Sequence, residues 1–336
     1  MKVLFLQPRM DVAFKEGPVS VVRGPIPPIR QHWLNFITQA VAEHRRRKDQ
    51  VTVLEHPLWK FTPEMVMEMK PDLVYVPHRE KHSFAVPSTK IRVLYYMQSV
   101  FPWIFYVDSL GFAGGSSMYP MSIKDGNARS KKFDELHNYV MTGASKFEQP
   151  SIRGFPEKDY VLFLCQIPHD QTILYHSKVT VEEALRDTLE VTKRLDMRLV
   201  VKGHPVNPGS MTEMKSMCAK YKHSEWYSDI SIHDLIPNAR AVVVVNSGTG
   251  MESLLYLRPV VTYGRCEYDV VTMKAKLNDN LDQYLTKPQI DEKNVRRFFD
   301  KWCNLTYDTT NPETFKKLGE RGNGTTLGFS PDDRCG

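Results

Sequence analysis

A chain of 336 residues with 41% hydrophobic and 11% aromatic side chains carries enough apolar material for two ordinary cores, and 25% charged residues is the level of a globular protein. The formal charge of +6 and a pI near 8.9 suit nucleotides, acidic membrane surfaces and nucleic acid alike, so charge selects none of them. No apolar run approaches the ~20 residues of a membrane-spanning helix, and the apolar start at Val3–Leu6 is too short for a secretion signal, so the expected location is cytoplasmic.

In chain order, Val3–Leu6 predicts a strand, Gln31–His44 a helix, Val51–Leu54 a strand, Pro63–Met69 a helix, and Leu73–Val76 and Val93–Tyr96 two more strands. Continuous Val/Ile/Leu runs of this kind mark parallel strands covered on both faces. Residues 111–159 are rich in Gly, Ser, Pro and charge and carry one predicted helix, Lys131–Val140. The rhythm then restarts with strands at Tyr160–Cys165, Leu199–Lys202, Ala241–Val245 and Val260–Tyr263. Helices are predicted at Thr180–Leu195, Ser210–Tyr221, Ile232–Ile236, Gly250–Tyr256 and Asn294–Trp302. The expectation is an α/β chain with an N-terminal Rossmann-like domain at 1–150, a second at 151–318 and a flexible tail at 319–336. Ligands of such sheets bind at the carboxyl ends of the strands, here a cleft between two parallel sheets.

Three loops follow predicted strands. Asn246-Ser247-Gly248-Thr249-Gly250-Met251-Glu252 joins a strand to a helix, a turn whose free N–H groups can hold a phosphate. The alternative is that Ser247 and Thr249 only cap the helix. Lys202-Gly203-His204-Pro205 brings an ammonium and an imidazole to the same predicted edge, where they would neutralise a departing phosphate. Gln166-Ile167-Pro168-His169-Asp170 adds a carboxylate suited to act as base or nucleophile at an anomeric carbon, against the alternative of a turn-forming Asp. The aromatic run Tyr95–Tyr106 offers either core packing or a platform for sugar rings, with Gln98, Trp103 and Asp108 as acceptor-side candidates. Cys165, Cys218, Cys266, Cys303 and Cys335 form no Cys-x-x-Cys pair and read as reduced structural thiols.

Gln166-x-x-x-Asp170, Lys202-x-His204-Pro205, Asn246-Ser247 with Gly250-x-Glu252, and Arg258-Pro259-Val260 together resemble the capsular polysaccharide biosynthesis family over roughly residues 90 to 270. The resemblance implies a GT-B glycosyltransferase that uses a CMP-Kdo-like or other nucleotide sugar such as a UDP-sugar, with no tightly bound cofactor and no metal. It further implies Asp170 as the nucleophile of a retaining reaction and His204 as a contact to the donor phosphate. Gln166, Lys202, Asn246, Ser247, Gly248, Thr249 and Gly250 would lie around the donor, with Glu252 binding ribose or organising the loop.

The acceptor expected on this reading is a glycan or glycolipid, with the enzyme peripheral at the inner membrane. Two other readings stand beside it. The basic run His44–Lys48, either a solvated helix end or an anion contact, fits a phage-type enzyme that glycosylates a hydroxylated DNA base in the host cytoplasm. An inactive nucleotide-sugar-binding regulator is the third.

Overall fold

The computed structural model describes the chain except for residues 11, 15–20, 24–25, 27, 57–59, 156–157, 207 and 319–336, so the expected tail lies outside the described residues. The first strands and helices are β1 (Lys2–Pro8), a hairpin of β2 (Val12–Phe14) and β3 (Val21–Arg23), α1 (Pro28–Arg46), β4 (Gln50–His56), α2 (Pro63–Met69), β5 (Leu73–Pro77), β6 (Arg92–Gln98) and β7 (Ile104–Asp108). β4, β1, β5 and β6 lie side by side in parallel, β7 joins β6 antiparallel, and the late strand Tyr307–Asp308 joins β7 antiparallel. The sheet is therefore parallel except at one edge, where β7 was not predicted. Its five residues follow β6 after only a short turn, which permits an antiparallel return but not a crossover.

α1 buries Trp33, Phe36, Ile37, Ala40 and Val41, an apolar stripe at helical spacing that lies against this sheet. Phe36 stacks on Tyr96 and Phe105 with ring centroids 5.1 and 4.7 Å apart. The aromatic run is thus mostly core: Tyr96 donates to the Leu6 carbonyl and Tyr95 to the Phe84 carbonyl, each at 2.6 Å. Burying each large apolar side chain contributes roughly 1.5–3 kcal/mol before entropy is charged against it.

The second part of the chain contains α3 (Lys132–Met141), β8 (Tyr160–Leu164), α4 (Gln171–His176), α5 (Val181–Arg194), β9 (Leu199–Lys202), α6 (Thr212–Cys218), β10 (Ser224–Tyr227), α7 (Ile232–Leu235), β11 (Ala239–Val244), α8 (Thr249–Leu255), β12 (Val260–Thr262), β13 (Met273–Lys274), α9 (Leu281–Thr286) and α10 (Glu292–Leu305). Its sheet runs β10-β9-β8-β11-β12-β13 and every pairing is parallel. β8 is buried along its whole length and β11 at all but one residue, as continuous apolar strands between two helix layers must be. α5 starts on a capping box, in which Thr180 accepts from the Glu183 amide and Glu183 accepts from the Thr180 amide.

The chain divides into two units, Met1–Ser117 with the residues from Cys303 on, and Met118–Trp302. The division falls at residue 117 rather than near 150, because the linking passage packs on the second unit. His137 Nδ1 lies 2.8 Å from the Leu255 carbonyl, and Tyr256 donates to the Val140 carbonyl at 2.9 Å. The chain also returns to the first unit at its end, through the strand Tyr307–Asp308. Cys165, Cys218 and Cys266 are buried free thiols and Cys303 is partly exposed.

Candidate functional site

In the second sheet, β9 and β10 extend from one side of β8 and β11 to β13 from the other, so the strand order reverses between β8 and β11. Ligands of open α/β sheets bind at such a switch point, beyond the carboxyl ends of the strands. The loops after β8, β9 and β11 are the three singled out in the sequence.

Gln166 and Asn246, 6% and 5% exposed, close the switch point between them. Gln166 Nε2 donates to Asn246 Oδ1 and Gln166 Oε1 accepts from the Asn246 amide, both at 2.9 Å. Asn246 Nδ2 donates to the Thr172 carbonyl at 2.8 Å. Both side chains spend their polar groups on the protein. They join the two loops rather than reach for a donor, and they anchor the first turn of α4.

Asp170 is the N-cap of α4. Its Oδ1 accepts from the Thr172 amide at 2.8 Å and from the Thr172 hydroxyl at 2.7 Å. The residue is exposed. Capping and availability to a substrate coexist, because both of these bonds fall on Oδ1. Gln166, Asn246, Thr172 and Asp170 form one continuous chain of hydrogen bonds at the sheet edge.

Lys202 does not face Asn246. Its ammonium, 2% exposed, donates to the Ser228 carbonyl at 2.9 Å and the Gly203 carbonyl at 3.2 Å, at the carboxyl end of β10. Burial lowers its pKa and the nearby Asp229 opposes that shift. His204 is partly exposed, with Nδ1 3.1 Å from the Val206 amide and 3.0 Å from the Val206 carbonyl. Burial likewise lowers its pKa, against the Val206 carbonyl and Asp170, so the imidazole is neutral near pH 7. The charge of Asp170 acts on the His204 imidazole.

In the loop after β11, Ser247 Oγ accepts from the Thr249 amide at 3.2 Å, Gly248 is exposed, and Thr249 opens α8. The Ser247 carbonyl accepts from Tyr268, whose ring lies where a side chain on Gly250 would project. Glu252, on the first turn of α8, is 1% exposed, and its Oε1 accepts from the Ser145 hydroxyl at 2.6 Å. Burial pushes its pKa up to about 7, against hydrogen bonds from Ser145 and Thr249. The enclosed carboxyl thus ties α8 to the loop at Ser145.

The acceptor-side candidates belong to the first unit. Gln98 Oε1 accepts from Trp33 Nε1 at 3.3 Å, and its Nε2 donates to the Ile29 and Pro102 carbonyls at 3.1 and 2.7 Å. Asp108 Oδ1 accepts from the amides of Leu110 at 2.8 Å and Ser117 at 3.0 Å, while Oδ2 accepts from the Ser117 hydroxyl. Both are buried organisers of their own loops; Trp103 is partly exposed. In the basic run, His44 is buried between Asp49, 2.8 Å away, and the Tyr75 hydroxyl, 2.9 Å away, and Arg46 pairs with Glu43.

Sequence reasoning missed the loop at Ser145-Lys146-Phe147. Phe147 meets the His204 ring edge to face at 5.5 Å, Ser145 holds Glu252, and the charge of Asp170 acts on Lys146. No strand precedes this loop, so no periodicity pointed to it. Among the described residues, no group of three or more His, Cys, Asp or Glu side chains is placed to hold a metal ion.

Residues 138–302 match the model of the family described as capsule polysaccharide biosynthesis protein. The capsule polysaccharide export protein KpsS of Escherichia coli is 25% identical over 131 residues, 36% of this chain and 34% of that protein, so the match spans about a third of the curated relative's length. The β-Kdo 2,7 transferase of Thermosulfurimonas dismutans KpsC superposes with a TM-score of 0.52 at 12% identity, covering 96% of this chain and 100% of that one. The β-Kdo 2,4 transferase of the same KpsC gives 0.49 at 15% identity, over 78% and 87%. The fold is of the expected GT-B class, two Rossmann-like α/β units. With its three loops all inside the matched residues 138–302, the chain is similar to the capsule polysaccharide biosynthesis proteins, as its motifs imply.

Proposed function

We propose that this chain is a nucleotide-sugar-dependent glycosyltransferase of capsule-type glycan synthesis, with its donor at the carboxyl edge of the second sheet and Asp170 as the reacting carboxylate. The observation that carries the reading is the hydrogen-bonded chain from Gln166 through Asn246 and Thr172 to Asp170, set at the switch point of a parallel sheet. The similarity over residues 138–302 supports the same reading.

The chemistry follows from the two partners at this edge. Asp170 Oδ2 attacks the anomeric carbon as the bond from that carbon to the phosphate oxygen breaks, and the nucleotide leaves with the electron pair. The acceptor hydroxyl then displaces the carboxylate from the same carbon, its proton passing to a base or to water. Two inversions give net retention. In the tautomer in which Nδ1 of His204 accepts from the Val206 amide rather than donating to the Val206 carbonyl, the ring proton sits on Nε2 and serves the phosphate oxygen that gains charge. The donor on this reading is CMP-Kdo-like, with a UDP-sugar as the other candidate, and the acceptor is a glycan or glycolipid.

The test is incubation of the purified protein with a panel of CMP- and UDP-sugars, with and without a Kdo-containing acceptor, following donor loss and product. Transfer with retained anomeric configuration, abolished in Asp170→Asn, is expected. Consumption of no donor would sink the transferase reading, and an inverted product would remove Asp170 as nucleophile.

A further inference from the structure

We propose that Lys146 binds the donor's nucleotide phosphate, supplying the positive charge that neither Lys202 nor His204 presents to it. The proposal rests on the reading of this edge as a donor site. A leaving phosphate in a partly dry site needs a fixed cation or several aimed dipoles. Lys202 is turned to the Ser228 and Gly203 carbonyls at the end of β10 and is almost wholly enclosed. The pKa of His204 is held down by burial, so its ring brings a hydrogen bond but no full charge at neutral pH.

Lys146 is placed by both of its neighbours. Ser145 is fastened to Glu252, on the helix that follows the Asn246 loop, at 2.6 Å. Phe147 rests against the ring of His204 at 5.5 Å. Residue 146 therefore lies between a contact to Glu252 and a contact to His204, and the charge of Asp170 acts on its ammonium. Desolvation depresses its pKa to about 8, so the half-buried side chain is still largely protonated at neutral pH. An ammonium that has already given up part of its hydration gains more from an incoming phosphate than a solvated one does, because the interaction is less screened.

The placement also has a chemical use. The charge of Asp170 acts on the Lys146 ammonium. As Asp170 bonds to the anomeric carbon it loses its charge, and the departing phosphate gains charge, so the ammonium's attraction passes from carboxylate to phosphate.

The experiment is isothermal titration of the full chain with CMP, UMP and UDP, and with cytidine and uridine as phosphate-free controls. The parent is expected to bind at least one nucleotide more tightly than its nucleoside. Lys146→Gln should weaken that nucleotide about 10- to 100-fold, with nucleoside affinity and melting temperature unchanged, and Lys146→Arg should restore most of it. Lys146→Met, which keeps the stem, serves if the amide perturbs folding. Equal nucleotide affinity in the parent and in Lys146→Gln or Lys146→Met overturns the proposal while leaving the transferase reading intact. A parent that binds no member of the panel overturns both.

Discussion

Gln166 and Asn246 hold each other by two hydrogen bonds of 2.9 Å, one between their side chains and one from the Asn246 amide to the Gln166 side chain. The pair ties the loop after β8 to the loop after β11 at the point where the strand order reverses. Truncating either partner strands buried polar atoms of the other, at about 1–3 kcal/mol. Gln166→Leu and Asn246→Leu should each lower stability by that amount, and the double variant should lose clearly less than the sum, as urea denaturation would measure. Additive losses would mean that the two residues act separately.

Asn246 also carries the Thr172 carbonyl, and Thr172 carries Asp170. Cap and reaction can therefore be separated at Asp170. Asparagine caps a helix about as well as aspartate, whereas alanine costs about 1 kcal/mol. Asp170→Asn should fold with parental stability and lose on the order of 10³-fold or more in transfer, while Asp170→Ala should lose both. Full transfer by Asp170→Asn would refute the nucleophile.

Glu252 makes stability depend on pH. Its pKa is raised from 4.5 to about 7 by burial, so folding favours the protonated carboxyl. That contribution is fully present below pH 4.5 and is lost as pH rises through 7, on the order of 3 kcal/mol across the window. Glu252→Gln keeps the shape without the titration, and thermal melts between pH 5 and 9 should show a flatter profile than the parent. An unchanged slope would place the carboxyl in a more solvated setting.

Gly250 gives way to Tyr268. A side chain at residue 250 would stand 2.8 Å from two carbons of the buried Tyr268 ring, whose hydroxyl holds the Ser247 carbonyl. Gly250→Ala should destabilise the chain by about 1–3 kcal/mol, and Tyr268→Leu in the same chain should recover part of it. A neutral Gly250→Ala, in melts and in nucleotide titration, would show that the ring can move aside.

Much of this architecture is legible in the order of residues. The apolar runs at Leu73–Val76, Leu199–Lys202 and Ala241–Val245 mark strands, because a strand covered on both faces has no polar side to show. The stripe from Trp33 to Val41 marks α1 for the matching reason at a period of 3.6. Placing Asp170, His204 and the Asn246 loop at one sheet edge needed only the rule that parallel strands end together. Side-chain direction was not legible, since a loop residue turns toward whichever partner the fold brings. Lys202 turned to the carbonyls beyond β10, Gln166 and Asn246 turned to each other, and Asp108 turned back into its own loop. Lys146 joined the site from a passage without periodicity, because its two neighbours found partners more than fifty residues away in sequence. Sequence by itself determined the strands and that the loops after β8, β9 and β11 share an edge; tertiary contacts decided where the units divide, that the loop at Ser145–Phe147 joins that edge and which polar groups remain for a substrate, since a buried polar group is satisfied by whatever lies nearest in space.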